Sequence, residues 1–253
     1  YDANNINPLY GFFVARAGLG ASESMRSKLA EYNDPRLSRA FITKQGTSGK
    51  EQAPGTADNA VYAPNGTPEQ GTSKYGTSLF MYSISAPTLL LSYHELKFLE
   101  AEALCRLERD AKSALKDAVV AGLLNAENSF TISRKELGKT LINAASSITE
   151  AEAESYFDNT IEAKYTAEPL KTTMTQKYFA LWGASGEATE SYNDVRRMKG
   201  LGENFIELKN PNSFPLRCPY GNSDTTTNAE VKAAYGNGQY VYSENVWWAG
   251  GSR

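Results

Sequence analysis

His94 is the chain's only histidine, so any nucleophile–imidazole mechanism would have to be built on it. It falls in the first turn of a helix expected to open at Ser92, where an exposed helix-start side chain is the expected role. Gly18-Leu19-Gly20 lacks the third glycine and the strand-to-helix setting of a dinucleotide loop, and Gly49-Lys50-Glu51 lacks the upstream spacing and hydroxyl residue of a phosphate loop. There is no His-Glu-x-x-His pattern, and no acidic spacing typical of a calcium loop. Cys105 sits in an amphipathic stretch, where a small buried thiol is the default. Cys218 stands between Arg217 and Pro219. Neither has a metal-ligand neighbour at short spacing, and a disulfide between them stays open. No catalytic residue, metal or cofactor is expected.

Glu95, Glu100, Glu102 and Glu108 share one helical stretch. A carboxylate pair could hydrolyse glycosides, but acids crowded on one helix more commonly form a solvated face with charge pairs. Arg196 and Arg197 read as partners for such carboxylates, since guanidinium forks them well.

Aromatic side chains offer a different chemistry. The chain has 15 tyrosines, 10 phenylalanines and 3 tryptophans. A sugar ring has an apolar face and a polar rim, so an exposed aromatic ring can stack on the face while amides and carboxylates bond the rim. The candidate ligand-binding residues are Tyr62 and Tyr75 in a glycine-rich stretch, and Tyr242, Trp247 and Trp248 near the C-terminus. The competing role is packing. At least one of two adjacent tryptophans is expected to anchor the tail to the core, and Tyr178 and Trp182 read as core.

The elements that would carry these residues are mostly helical. Ser22 to about Tyr32 reads as a helix, and Asn33-Asp34-Pro35-Arg36 as the restart of a short one. Residues 46–78 form a long Gly/Pro-rich loop, of a kind that is usually either functional or disordered: a floppy surface excursion, or a segment facing a ligand or partner. Ser92 with Glu95 has capping-box spacing, and Leu96, Leu99, Ala103 and Leu107 then recur on one face at helical period. Asp110 caps the next helix, whose small residues Ala111, Ala114, Ala118 and Gly122 suit a close antiparallel hairpin. Ser133/Glu136 and Thr149/Glu152 offer further capping boxes. The former opens a helix carrying Leu137, Leu141 and Ile142. Pro169 opens another helix, Ser185-Gly186 ends it, and Gly200 is a C-cap for the following one. Residues 92–200 are thus a helical core and 201–253 an irregular tail, with a few short strands expected.

The formal net charge of −3 and pI near 5.4 argue against an electrostatic nucleic-acid binder. No apolar run approaches the ~20 residues of a membrane-spanning helix.

Several segments, in order, resemble the SusD/RagB family. Asn33-Asp34-Pro35-Arg36-Leu37 is similar to its Asp-Pro-Arg element, and the helix Ser92-Tyr93-His94-Glu95-Leu96-Lys97-Phe98-Leu99-Glu100-Ala101-Glu102-Ala103 to one of its helices. Gln176-Lys177-Tyr178-Phe179-Ala180-Leu181-Trp182, the stretch Glu190 to Arg197, and Phe214-Pro215-Leu216-Arg217 with Tyr220 and Asn228 resemble later ones. Tyr192 and Gly221 depart from the pattern, at positions where tryptophan and proline are common. The resemblance implies a mainly α fold of tetratricopeptide-like hairpins with long irregular loops. It implies a single SusD-like region over 1–253, the C-terminal part of a longer protein whose N-terminal part carries the anchor. An isolated C-terminal part should then expose an apolar face. The implied function is a surface lipoprotein of a bacterial outer membrane, as in Bacteroidetes. It would capture an oligosaccharide or peptide and pass it to a SusC-like TonB-dependent transporter. The family has no catalytic residues to carry over. The alternatives are a helical scaffold that holds a protein partner without binding nutrient, and a carboxylate-pair hydrolase.

Overall fold

The computed structural model describes residues 5–15, 20–42, 61–66, 75–137, 146–209 and 213–251. The chain divides into two units, Tyr1–Leu208 and Lys209–Arg253.

In the first unit, α1 (Pro8–Ala15) packs against a 3-10 turn at Leu79–Tyr82, with the Phe13 and Tyr82 rings edge to face at 5.1 Å. Ser22 caps α2 (Glu23–Glu31) by accepting from the Met25 amide. Asn33–Arg39, where a short helix was expected, forms turns instead. Asn33 takes a left-handed φ of 49°, and Asp34 then forms a buried ion pair with Arg36 at 2.6 Å. That guanidinium also donates to the Phe179 carbonyl at 2.7 Å. Side-chain bonds therefore replace the helical ladder and tie this segment to a distant helix.

The expected few strands are present as one pair. Phe41–Ile42 (β1) and Thr77–Ser78 (β2) run antiparallel, with Phe41 opposite Ser78. Among the described residues of the tail no strand is formed. Most of the 46–78 loop, including Gly46, Gly49, Pro54, Gly55, Pro68 and Gly71, lies outside the described residues, as do Leu141 and Ile142.

Helices α3 (Tyr93–Arg106) and α4 (Lys112–Leu137) form the main hairpin. The Asp110 carboxylate accepts from the Lys112 amide at the start of α4. Helix α4 runs unbroken for 26 residues, so Ser133 opens no helix. Its buried hydroxyl lies 2.6 Å from the Leu79 carbonyl and 2.9 Å from that of Ser129, donating to one at a time. Side-chain bonding to the i−4 carbonyl lets serine sit inside a helix, and the same hydroxyl reaches the 3-10 turn.

Thr149 caps α5 (Glu150–Tyr156). A π-helical turn at Phe157–Ile161 continues it into α6 (Glu162–Ala167). Helix α7 (Pro169–Ala180) has proline in its first turn and packs on both members of the hairpin. Gly122 on α4 makes that approach possible, since a Cβ there would stand 3.0 Å from Ala180 Cβ. Helix α8 (Ala188–Gly200) follows. Gly200 is its last helical residue rather than a C-cap, and the left-handed position falls at Gly202, φ 78°. Between α7 and α8 the chain needs Gly186: its φ is +96°, and a Cβ would lie 2.1 Å from the Leu89 carbonyl oxygen.

The face of α3 that enters the core is not the one its leucines mark. Phe98 and Ala101 are fully buried, along with His94, Glu95 and Glu102, whereas Leu96 is 51% exposed and Leu107 63%. Leu90, Leu91 and Tyr93 extend this exposed apolar surface.

The second unit, expected to be irregular, contains two short helices, α9 (Asn222–Thr227) and α10 (Ala229–Tyr235), the latter capped by Asn228. The Leu216 amide donates to Val241 at 2.8 Å and the Tyr220 amide to Gly238 at 3.2 Å. Those two bonds hold the start of the unit against its later turns.

Candidate functional site

The aromatic candidates divide between the units. In the first, Tyr62 packs edge-on against Phe41 at 5.1 Å, and Phe41 leads through Trp182 to Phe80 and Phe130. Tyr62 is thus part of a chain of core rings, with the Arg26 guanidinium 5.8 Å from its centroid. Tyr75 is buried at 5% exposure, with its Cβ against Gly20. Tyr75 is thus closed to solvent, and Tyr62 is half-buried.

The second unit has the opposite arrangement. Trp247 and Trp248 are 70% and 68% exposed, and Tyr242 is 54% exposed. Both indoles are thus largely open to solvent rather than packed. They lie on a 3-10 turn, Trp247–Ala249, closed by the amides of Ala249 and Gly251 donating to the Val246 carbonyl and that of Gly250 to Trp247. A Cβ at Gly251 would fall 1.9 Å from the Asn245 carbonyl oxygen, so only glycine allows the turn to close. The turn sets the indoles edge to face, centroids 5.6 Å apart and planes at 87°. One open ring with a second standing across its edge can receive the apolar face of a sugar against a wall.

The same unit contains an arrangement not singled out beforehand. Tyr220 and Tyr235 stack at 4.3 Å and 28°, with the Arg217 guanidinium 4.5 Å over the Tyr220 ring. The Arg217 and Tyr220 pair was visible in the tail motif, but its partner on α10 was not.

The acidic and basic groups serve the interior of the first unit. His94 is buried at 2% exposure, which corrects its reading as an exposed helix-start residue. Burial lowers its pKa, with Arg36 adding to the effect and Glu187 opposing it. Its Nε2 stands 3.7 Å from Glu187 Oε2. Ser92 caps α3 by accepting from the Glu95 amide at 3.1 Å, but the second half of the capping box comes from elsewhere: Glu187, not Glu95, accepts from the Ser92 amide. Glu95 turns inward onto Glu187. Burial, hydrogen bonding to Glu187 and the Glu187 charge push its carboxyl up to about 7. Two adjoining carboxyls sharing a proton are a familiar catalytic device, yet Glu95 is 6% exposed and Glu187 1%, so this pair joins the start of α3 to the start of α8.

Glu102 works similarly. Burial would raise its pKa, but hydrogen bonds from Arg197 and Arg106 overcome that and hold it below the usual range. Arg197 forks it at 2.5 and 2.8 Å, and Arg106 bridges it to Glu203. Arg197 is therefore the structural partner its sequence context suggests. The Arg196 guanidinium lies 5.8 Å over the Tyr192 ring. Both cysteines are free, Cys218 on the surface. Burial raises the Cys105 thiol, as expected of an inert packed sulfur. Among the described residues no cluster of His, Cys, Asp and Glu could hold a metal ion, and no helix is long and apolar enough to cross a membrane.

Comparison with known proteins follows this geometry. A family model described as SusD-like, starch-binding and associating with the outer membrane matches residues 2–220. A SusD/RagB family protein of Bacteroides thetaiotaomicron is 65% identical with a TM-score of 0.89, over 100% of this chain and 54% of its own. A SusD homolog of Bacteroides fragilis is 19% identical with a TM-score of 0.62, over 94% of this chain and 54% of its own. A Bacteroides vulgatus outer membrane protein provisionally assigned to nutrient binding is 22% identical with a TM-score of 0.56, over 88% of this chain and 50% of its own. These last two show the fold alone. No match is found among curated proteins. The chain spans about half the length of the solved structures it matches. The mainly helical fold, the order of the motifs and the match over 2–220 agree: the chain belongs to the SusD-like family.

Proposed function

We propose that this chain is part of a cell-surface lipoprotein that captures oligosaccharides at the outer membrane and delivers them to a SusC-like TonB-dependent transporter, without altering them. The observation that carries this reading is the pair of exposed, mutually perpendicular indoles at Trp247 and Trp248 in a member of a starch-binding family. Large apolar rings left in water cost hydrophobic stabilisation unless something covers them, and the polar, ring-faced surface of a glycan suits them. Tyr242 is the third candidate contact. Tyr62 and Tyr75 would act by shaping the loop region from within rather than by stacking.

Affinity electrophoresis through gels containing starch, xylan, mannan or pectin tests the proposal. Retardation by one of them is expected, and Trp247→Ala/Trp248→Ala should weaken it roughly tenfold, the scale of a buried aromatic hot spot. Unaltered migration in every gel, together with no calorimetric signal from peptides, would overturn it.

A second reading, a helical scaffold for a protein partner, draws on the exposed stripe of α3, where Leu96 and Leu107 meet solvent. It predicts co-purification with a transporter that survives loss of both tryptophans. Release of labelled products from an oligosaccharide would favour a hydrolase over either.

A further inference from the structure

The first unit holds a groove of about 490 Å³, open to solvent, between the Asn33–Arg39 turns and the α5–π segment. Ligand sites commonly fall between about 300 and 1,000 Å³. Its floor is rigid. The Tyr156 hydroxyl donates to Asp34 Oδ2 at 3.4 Å, the Gln176 amide donates to the Tyr156 oxygen at 3.5 Å, and the Asp34–Arg36 pair beneath is fully buried.

The polar groups of the rim are of a particular kind. Asn33, Ser38, Ser155 and Asn159 are exposed there, and Thr160 is half-buried. Asn159 donates its amide to Ser155 at 3.0 Å, which leaves its carbonyl oxygen and the Ser155 hydroxyl proton for a ligand. The one cation among the groove's lining residues is already paired. Arg39 gives Nη2 to both oxygens of Glu152, at 2.8 and 2.9 Å, Nε to the Ser146 carbonyl and Nη1 to that of Pro35. The guanidinium and carboxylate cancel each other, so the groove offers neither an anion nor a cation a free counter-charge. A π-helical turn forms one wall, where Phe157 accepts from the Glu162 amide five residues on. Such turns are rare and recur at functional sites. Asn33 is likewise held at a positive φ, a conformation it adopts more readily than most residues.

We infer that this groove is a second binding site, for a neutral polyhydroxylated ligand such as a short stretch of oligosaccharide, held by hydrogen bonds from amides and hydroxyls rather than by stacking. The ligand class rests on the glycan reading above; the location does not. Hydroxyl-rich ligands both donate and accept, as Asn, Ser and Thr do, and they need no charge neutralised.

The test follows backbone amide signals by NMR while maltoheptaose, xylohexaose or mannohexaose is titrated into the full chain carrying Trp247→Ala/Trp248→Ala. The expected result is a saturable shift of amides within 33–39 and 152–160 for at least one of these. Adding Asn33→Gly and Asn159→Ala, which keeps the left-handed turn accessible, should weaken that binding roughly tenfold, the worth of one or two hydrogen bonds. If wild-type amides near 247–248 shift with a glycan while none within 33–39 and 152–160 do, the groove inference falls and the capture reading stands. If no glycan moves any amide of the wild-type chain, the groove inference falls, and the capture reading falls with it when the polysaccharide gels and the peptide calorimetry are also blank. A shift at the groove produced by trialanine but by none of the sugars would also overturn the ligand class.

Discussion

Replacing Glu95 with glutamine should make the protein more stable than wild type in mild base and nearly indifferent to pH through this site. Glu95 is held against Glu187 inside the first unit, and its carboxyl is pushed from the ordinary 4.5 up to about 7 by burial, by the bond to Glu187 and by that group's charge, with Lys177 opposing and Glu190 adding to the rise. The folded state therefore binds this proton more tightly than the unfolded chain does. A raised carboxyl favours folding fully below the unfolded value, and the benefit drains away as pH climbs through the folded one. Integrating between those two values, the wild type loses about 2 to 3 kcal/mol from this group between pH 5 and pH 8. Glutamine keeps the shape and donates to Glu187 at any pH, so the variant escapes that loss. His94 pulls the opposite way: burial lowers its pKa, so its share of stability is lost as pH falls through its usual range. It is present in both proteins and drops out of the difference between them. Urea unfolding followed by circular dichroism at several pH values gives that difference directly. The variant's advantage should grow by about 2 kcal/mol from pH 5 to pH 8, or about 4 to 8 °C in Tm for a chain of this size. A variant that parallels the wild type across the range, or gains most at pH 5, would show that Glu95 and Glu187 do not share a proton.

Three further outcomes follow from the packing. Gly186→Ala forces a Cβ to 2.1 Å from the Leu89 carbonyl at a φ of +96°, and should cost at least about 3 kcal/mol in thermal or urea unfolding. Asp34→Ala strands the buried Arg36 guanidinium, whose neighbours are Asp34 and the Phe179 carbonyl; the loss should be about 3 to 5 kcal/mol, read by the same melts. Leu96→Glu with Leu107→Lys changes only exposed positions of α3. It should leave stability within about 0.5 kcal/mol while reducing self-association in sedimentation velocity at high protein concentration.

Local signals in the sequence were legible where a single residue decides the local backbone. Ser92 and Thr149 cap the helices their spacing suggests, a helix runs where Ser22 to Tyr32 was read as one, and Pro169 sits in the first turn of α7. What failed was any inference that needed to know which way a face looks. Leu96, Leu99, Ala103 and Leu107 do share a face, but it is the outer one; the inner face carries Phe98 and Ala101 beside His94, Glu95 and Glu102. Periodicity reports that a stripe exists and is silent on what lies against it. The acids misled for the same reason. Glu95 was legible as a capping-box member, yet the bond it should make to the Ser92 amide is made by Glu187, 95 residues away. Ser133 imitates a cap because the residue type that caps a helix also tolerates a helix interior when its hydroxyl finds a carbonyl. Among the candidate binding residues, the sequence could not tell the exposed indoles of Trp247 and Trp248 from the packed rings of Tyr62 and Tyr75, because a Gly-rich context is compatible with rings turned either way.

Under the proposed reading, the groups that would bind ligand and the groups that fix the fold differ in how far they are withdrawn from water. Glu95, Glu187, Glu102, Asp34 and Arg36 are nearly all withdrawn from water, and each is tied to a residue far away in sequence or to a helix end. Such groups are costly when unpaired, so they make the register of α3, α7 and α8 unforgiving and leave little freedom at the scaffold's centre. A site that must accept varied neutral glycans needs the reverse: groups whose partners can be exchanged for ligand or water at small cost. Exposed indoles on a glycine-closed turn and exposed amides beside a saturated Arg39–Glu152 pair both meet that condition. On this argument the buried carboxylates should be intolerant of substitution and indifferent to sugar, whereas Trp247, Trp248, Asn33 and Asn159 should tolerate change in the fold and register it in binding. A glycan whose affinity dropped on Glu95→Gln with no change in stability would break that separation.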